Sequence, residues 1–176
     1  MIIRQDIFKI ITNIQYDFHF LVDDSLENMN WFDIMECNQV SFHFEHNTNI
    51  QGCIDYLMRL GARKFIAINP EADIHVLDEY LPQLDGVLIM HTPPGFTGKK
   101  LIPTTINKVK DLRKYLNELD LNLDIESDGN VSVENAKKLY ESGANIFVAG
   151  TSSLFMQTEK SMKDIIEEKR KVIGWK

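Results

Sequence analysis

Six polar residues occupy one kind of position in this chain: the place where a short β-branched or aromatic run gives out. They are His19, His43, Asn69, His91, Asp128 and Thr151; a seventh, Glu45, stands two residues beyond His43. Imidazole, carboxylate, carboxamide and hydroxyl groups are the equipment for holding a ligand and moving a proton. One strand-end histidine is ordinarily a hydrogen-bonded structural residue. Six polar residues in register weigh toward a site.

Two glycine-bearing loops add a second kind of chemistry. "HTPPGFTGKKLIPTT" (91–105) is the longest loop and sets Gly95 and Gly98 around Phe96. Glycines let backbone N–H groups approach an anion closely. In "VAGTSSLF", Gly150-Thr151-Ser152 follow an apolar run and open a short helix pattern, a plausible phosphate seat. Each loop also has a plain reading, a Pro/Gly turn in the first case and a helix N-cap in the second.

These groups share a rim only if the runs before them are parallel strands. The runs are 14–22, 39–45, 63–69, 85–91, 121–127 and 144–150, each strand-like in length and bounded by turn formers. Helix-like patterns lie between them. "SLENMNWFDIMEC" opens on Ser25 as an N-cap candidate, and "TNIQGCIDYLMRLG" ends on Gly61. "IPTTINKVKDLRKYLNEL" starts near Pro103 with Ile106, Val109, Leu112 and Leu116 on one face, and "SVENAKKLYESG" runs from Ser132 to Gly143. A last helix from about Thr158 carries Met162, Ile165 and Ile166 on one side, and "IIRQDIFKIITN" reads as a helix ahead of the first strand. Alternating strands and helices predict a parallel α/β sheet with right-handed crossovers. Six units fit an open doubly wound sheet and fall short of the eight of a (β/α)8 barrel. In both, sites sit at the C-terminal strand ends.

Composition narrows the rest. The 176 residues are 44% apolar and 26% charged, ordinary for one globular domain over 1–176. Lys plus Arg is 19 against 26 Asp plus Glu, a net charge of -7, which argues against a nucleic-acid surface. Cys37 and Cys53 fall in apolar patterns and suggest no disulfide framework, so a cytoplasmic setting is expected. No run is apolar and long enough to span a bilayer, so no membrane association is expected.

The order of motifs resembles a known family. "DFHFLV" matches D-x-H-L-M-V, "VSFHFE" matches h-x-x-H-x-E, and "GARKFIAINPEA" matches G-x-K-x-x-x-x-L-N-P. "DGVLIMHTPPGFTGKKLIP", "IESDGNVSVENA" and "GANIFVAGTSSLF" follow the same family's P-G-F-x-G loop, D-G turn and G-[ST] turn over nearly the whole chain. That family is the ribulose-phosphate 3-epimerases, (β/α)8 barrels. The resemblance implies an isomerase of carbohydrate metabolism that removes and returns the C3 proton of a phosphorylated ketose. A divalent metal (zinc, iron, manganese or similar) stabilises the enediolate. It further implies His19 as metal ligand and substrate contact, and Asp128 as metal ligand, substrate contact and proton-transfer group. Gly95, Phe96, Thr97 and Gly98 match the loop over the substrate. Gly129, Asn130, Gly150 and Thr151 match the phosphate turns.

Some of the pattern departs. The family opens with a strand, a helix and a second strand ending in H-x-D-x-M-D-G, which supplies the other metal histidine and the other catalytic aspartate. No such motif occurs in these residues, so the expectation is a barrel shortened by roughly 45 residues to about six βα units. Asp17, Glu45 and Glu126 are carboxylates near the rim or one layer below, and none sits at the matching position. Asn130 replaces a glycine, Thr151 a serine, Leu21 a methionine and Lys99 a glutamine, changes that suit a different ketose such as allulose 6-phosphate. A binding-only pseudoenzyme or a fragment stands as the alternative. Open strand edges at 14–22 and 144–150 lead to the expectation of a homo-oligomer.

Overall fold

Strands form where β-branched and aromatic residues can pack on both faces of a pleated sheet. The computed structural model describes residues 14–35, 38–95, 98–152, 154–155 and 159–174. It has six parallel strands: β1 (Asp17–Phe20), β2 (Gln39–His43), β3 (Arg63–Ile68), β4 (Gly86–Met90), β5 (Asp124–Asp128) and β6 (Ile146–Phe147). Their order in the sheet is their order in the chain. A doubly wound sheet reverses its order at a switch point. This one does not, so the winding is that of a barrel, and the sheet curls as an open TIM-like section. The helix expected ahead of β1 lies outside the described residues.

Among the described residues, α1 (Ser25–Met29), α2 (Ile50–Leu60), α3 (Thr104–Glu118) and α4 (Val133–Glu141) connect strands, and α5 (Met162–Ile173) follows β6. Their ends follow the turn chemistry of the sequence. Asn49 caps α2 by accepting from Gly52 N–H at 2.9 Å, and Gly61 closes it at φ 68°. Pro103 precedes α3, and Ser132 caps α4 by accepting from Asn135 N–H. A capping box of Ser161 and Asp164 opens α5.

Three expectations need correction. The helix read from Ser25 onward stops at Met29, because Phe32 turns inward to pack on the rings of Phe18 and Phe20. Ser25 is the first helical residue rather than the cap; Asp24 holds that place in left-handed backbone, and Ser25 N–H donates to Asn47 Oδ1. On α5, Met162 and Ile166 are exposed, and the inward face is Ile165, Lys169 and Ile173. Lys169 reaches that face because its ammonium donates to the Val131 carbonyl. Two 3-10 turns, Ile74–Leu77 and Leu81–Gln83, occupy the β3–β4 crossover, where no element was expected.

The two faces of the sheet differ in kind. Val40, Phe42, Ile66, Ile68, Val87, Ile89 and Ile125 pack outward with Ile54, Leu57, Val109, Leu112 and Leu139 of the helices in one continuous core. Each buried aliphatic side chain there contributes about 1.5–3 kcal/mol. Inward, Ala67, Leu88 and Met90 form a small separate cluster. Most other inward positions are polar: Asp17 and His19 on β1, Gln39, Ser41 and His43 on β2, Arg63 on β3, Glu126 and Asp128 on β5. Phe65 fills the space over Gly86, where an added Cβ would stand 2.2 Å from its ring. The hydrophobic effect therefore holds the sheet from outside, and the inner face is left for chemistry.

Candidate active site

The C-terminal strand ends surround a cleft of about 510 Å³. His19, Gly95, Gly98, Asp128, Gly129, Asn130, Gly150 and Thr151 all line it. Phe96 and Thr97 lie outside the described residues. Of the rim residues singled out by type, His43, Glu45, Asn69 and His91 do not line the cleft.

His19 Nδ1 faces Asp128 Oδ2 at 3.6 Å, with both side chains about one-quarter exposed. Behind His19 stands His43. Their Nε2 atoms are 2.9 Å apart, and the rings stack at 12° with centroids 5.0 Å apart. His43 is fully buried, and its Nδ1 lies 3.5 Å from Glu45 Oε2. Glu45 in turn accepts the Asn69 N–H at 2.8 Å through Oε1. Burial alone would raise its pKa; His43 and the backbone bonds outweigh that and hold it below the ordinary value of 4.5.

The turns at the other side of the cleft have the backbone their sequences imply. Gly129 sits at φ 104°, and a Cβ there would meet Thr92 Oγ1 at 2.7 Å. Asn130 takes the left-handed conformation, φ 54°, as asparagine tolerates. Its amide donates to the Lys99 carbonyl at 2.9 Å, tying the β5 turn to the long loop, and Asn135 donates to the Asn130 carbonyl and Oδ1. Gly95 and Gly98 have φ of 80° and 77°. The Gly150 carbonyl accepts from the N–H groups of Leu154 and Phe155. Thr92 and Lys99 also line the cleft, although neither was expected there, and so does Ser152 of the Gly150-Thr151-Ser152 turn. Of the two unexpected residues, Lys99, as a cation in a glycine loop, carried a signal that could have found it.

His91 is structural. Its Nδ1 pairs with Thr105 Oγ1 at 2.8 Å, and Thr105 donates onward to the Ile102 carbonyl. Burial pushes its pKa down to about 4, against the pull of Asp128, so the ring stays neutral. Glu126 is likewise buried. It accepts from Gln39 Nε2 at 2.7 Å, and the Asp17 carboxyl lies close enough to share a proton with it. Burial, with the carboxylates of Asp17 and Asp128 nearby, raises its pKa well above the ordinary range. None of Asp17, Glu45 or Glu126 lines the cleft.

The sequence model described as "Ribulose-phosphate 3 epimerase family" matches residues 1–155. The chain belongs to the ribulose-phosphate 3-epimerase family. It is 32% identical over 164 residues to the ribulose-phosphate 3-epimerase of Chlamydia muridarum, covering 92% of this chain and 69% of that protein. The Buchnera aphidicola (Baizongia pistaciae) protein of the same name is 32% identical over 141 residues, covering 77% and 61%. The chloroplastic ribulose-5-phosphate-3-epimerase of Arabidopsis thaliana is 32% identical over 149, covering 84% and 53%. The chain thus spans between 53% and 69% of the length of these relatives.

Membership of the family makes a divalent ion at this rim a question of donors. His19 Nδ1 and Asp128 Oδ2, 3.6 Å apart, are spaced for one ion bonded at about 2.0–2.2 Å to each. A catalytic site commonly uses three protein ligands. Among the described residues no group of three or more His, Cys, Asp or Glu is placed to hold one. The pair fits two positions of such a site, and the described residues do not complete it.

Proposed function

We propose that this chain supplies the phosphate turns and one proton-transfer carboxylate of a ribulose-phosphate 3-epimerase site. The reaction is inversion at C3 of a ketose phosphate in carbohydrate metabolism. The observation that carries the reading is the contact of His19 with Asp128 across the mouth of a cleft whose far side is glycine turns. Asp128 is the group that takes or returns the C3 proton, and His19 stands beside it and contacts the sugar. Gly129, Asn130, Gly150 and Thr151 hold the phosphate through backbone N–H groups and a hydroxyl. Gly95, Phe96, Thr97 and Gly98 cover the substrate. A divalent ion, when bound with His19 and Asp128 among its ligands, supplies Lewis-acid stabilisation of the enediolate.

Residues 1–176 are read as one domain, a barrel section of about six βα units. Among the described residues β1 and β6 each pair with one neighbouring strand. Such edges favour association, and a homo-oligomer covers them. The net charge of -7 leaves nucleic acid an unsuitable partner. No helix among the described residues is long and apolar enough to cross a membrane, and Cys53 is a free buried thiol; both suit a cytoplasmic location.

The test is exchange of the C3 proton of ribulose 5-phosphate or allulose 6-phosphate into deuterated solvent, with added zinc, iron(II) or manganese. Exchange by the purified chain supports the reading. Binding of the sugar phosphate with no exchange under any metal removes the catalytic part of it. Sedimentation velocity reports the oligomer.

A further inference from the structure

The contact between His19 and His43 joins two nitrogens of the same kind, Nε2 to Nε2 at 2.9 Å. A neutral imidazole has one N–H and one lone pair, so one ring must donate and the other accept. Each ring's remaining nitrogen faces a carboxylate: His43 Nδ1 faces Glu45 at 3.5 Å, and His19 Nδ1 faces Asp128 at 3.6 Å. A single Nε2 proton cannot leave an N–H for both carboxylates. One carboxylate must meet a bare lone pair.

Burial decides which. His43 Nδ1 is inaccessible and has no other partner among the described residues, whereas His19 and Asp128 are partly exposed to the cleft. A lone pair held against a carboxylate costs more where water cannot reach it. Glu45 is also fixed on its other oxygen by the Asn69 N–H, so it cannot easily turn away. The His46 ring stands T-shaped to His43 with centroids 5.7 Å apart, and His46 is itself paired with Asp23.

We propose that Glu45 and His43 are positioning residues for His19. Glu45 holds His43 as its Nδ1–H tautomer, His43 accepts from His19 Nε2–H, and the Nδ1 lone pair of His19 is thereby aimed at Asp128 and the cleft. This deepens the epimerase reading and rests on it for its use. A lone pair at that point can bind an electrophile together with Asp128. An N–H there would instead donate to Asp128 and weaken it as a base. Neither His43 nor Glu45 touches the cleft, so both act only through His19.

Long-range ¹H–¹⁵N imidazole spectra of the purified chain test this at about pH 8, above the ordinary imidazole range. His19 Nδ1 is expected at the shift of a bare, pyridine-type nitrogen, and His43 Nδ1 at that of a protonated, pyrrole-type one. The reversed pattern in the wild type overturns the proposal outright, with no variant needed. Glu45→Ala is expected to move His43 toward a mixture of tautomers; an unchanged His43 also overturns it. His43→Leu should release the His19 tautomer, and His43→Gln, whose side-chain oxygen can accept, should restore it. Failure of C3 exchange with the expected tautomers in place would count against the epimerase reading and leave this inference standing.

Discussion

His19 on β1 and Asp128 on β5 face each other at 3.6 Å although three strands separate them in the sheet. Neighbouring strands are about 4.8 Å apart, so in a flat sheet four steps would part them by roughly 19 Å, beyond the reach of an imidazole and a carboxylate. Their contact is therefore a consequence of curvature. Because the sheet curls inward, polar residues from its first and fifth strands converge.

The carboxylate of that pair is the natural first target. Asp128→Asn keeps the shape and removes the proton acceptor. C3 exchange is expected to fall by a factor of about 10²–10⁴, with little change in melting temperature because the side chain is partly exposed. Exchange that survives Asp128→Asn would rule out the role assigned to Asp128.

The turn that follows it is conformationally specific. Gly129→Ala places a methyl 2.7 Å from Thr92 Oγ1 in backbone at φ 104°. Strain of about 1–3 kcal/mol is expected, together with weaker sugar-phosphate binding. Calorimetric titration and denaturant melts read the two effects separately. Unchanged binding would take Gly129 out of the phosphate seat.

His91 gives the fold an acid limit. Burial lowers its pKa from 6.5 to about 4, so below pH 6.5 the unfolded chain takes up a proton that the folded chain refuses. Stability from this group is complete above pH 6.5 and is lost as pH falls toward 4, by up to about 3 kcal/mol. Urea melts at a series of pH values should show that slope. His91→Asn, which keeps a donor for Thr105, should flatten it.

Glu126 has the opposite sign. Burial and neighbouring carboxylates raise its pKa above 4.5, so the folded chain retains a proton that the unfolded chain gives up. Stability falls as pH rises above about 4.5. Glu126→Gln is expected to stabilise the chain at neutral pH by about 1–3 kcal/mol, and to have no such benefit near pH 4. A destabilised variant at pH 7.5 would show that the carboxylate is satisfied by a partner.

Much of this was legible in local sequence, because turn and cap chemistry is local. Gly61 and Gly143 mark helix ends through left-handed backbone, and Ser132 through the side-chain oxygen that accepts from Asn135 N–H. The left-handed Asn130 could be read from residue type, and so could the glycine turns. Where long-range packing competes with local pattern, the reading failed: Phe32 leaves the expected helix for the rings of Phe18 and Phe20, and Ile166 yields the inner face of α5 to Lys169.

The site divides in the same way. Sequence by itself determined that polar groups end the strands, that glycines line two loops, and which family the motifs resemble. It did so because strand period, turn residues and motif spacing are properties of neighbours along the chain. Residue type and strand position could not sort those polar ends by role; the family resemblance alone singled out His19 and Asp128 among them. His91 and His43 look like His19 in sequence, yet burial makes one a neutral structural ring, sets the second behind the site, and leaves the third at the cleft. Which of them meet at the cleft was decided by the tertiary structure alone, since the curl of the sheet determines which polar ends converge and which are cut off from water.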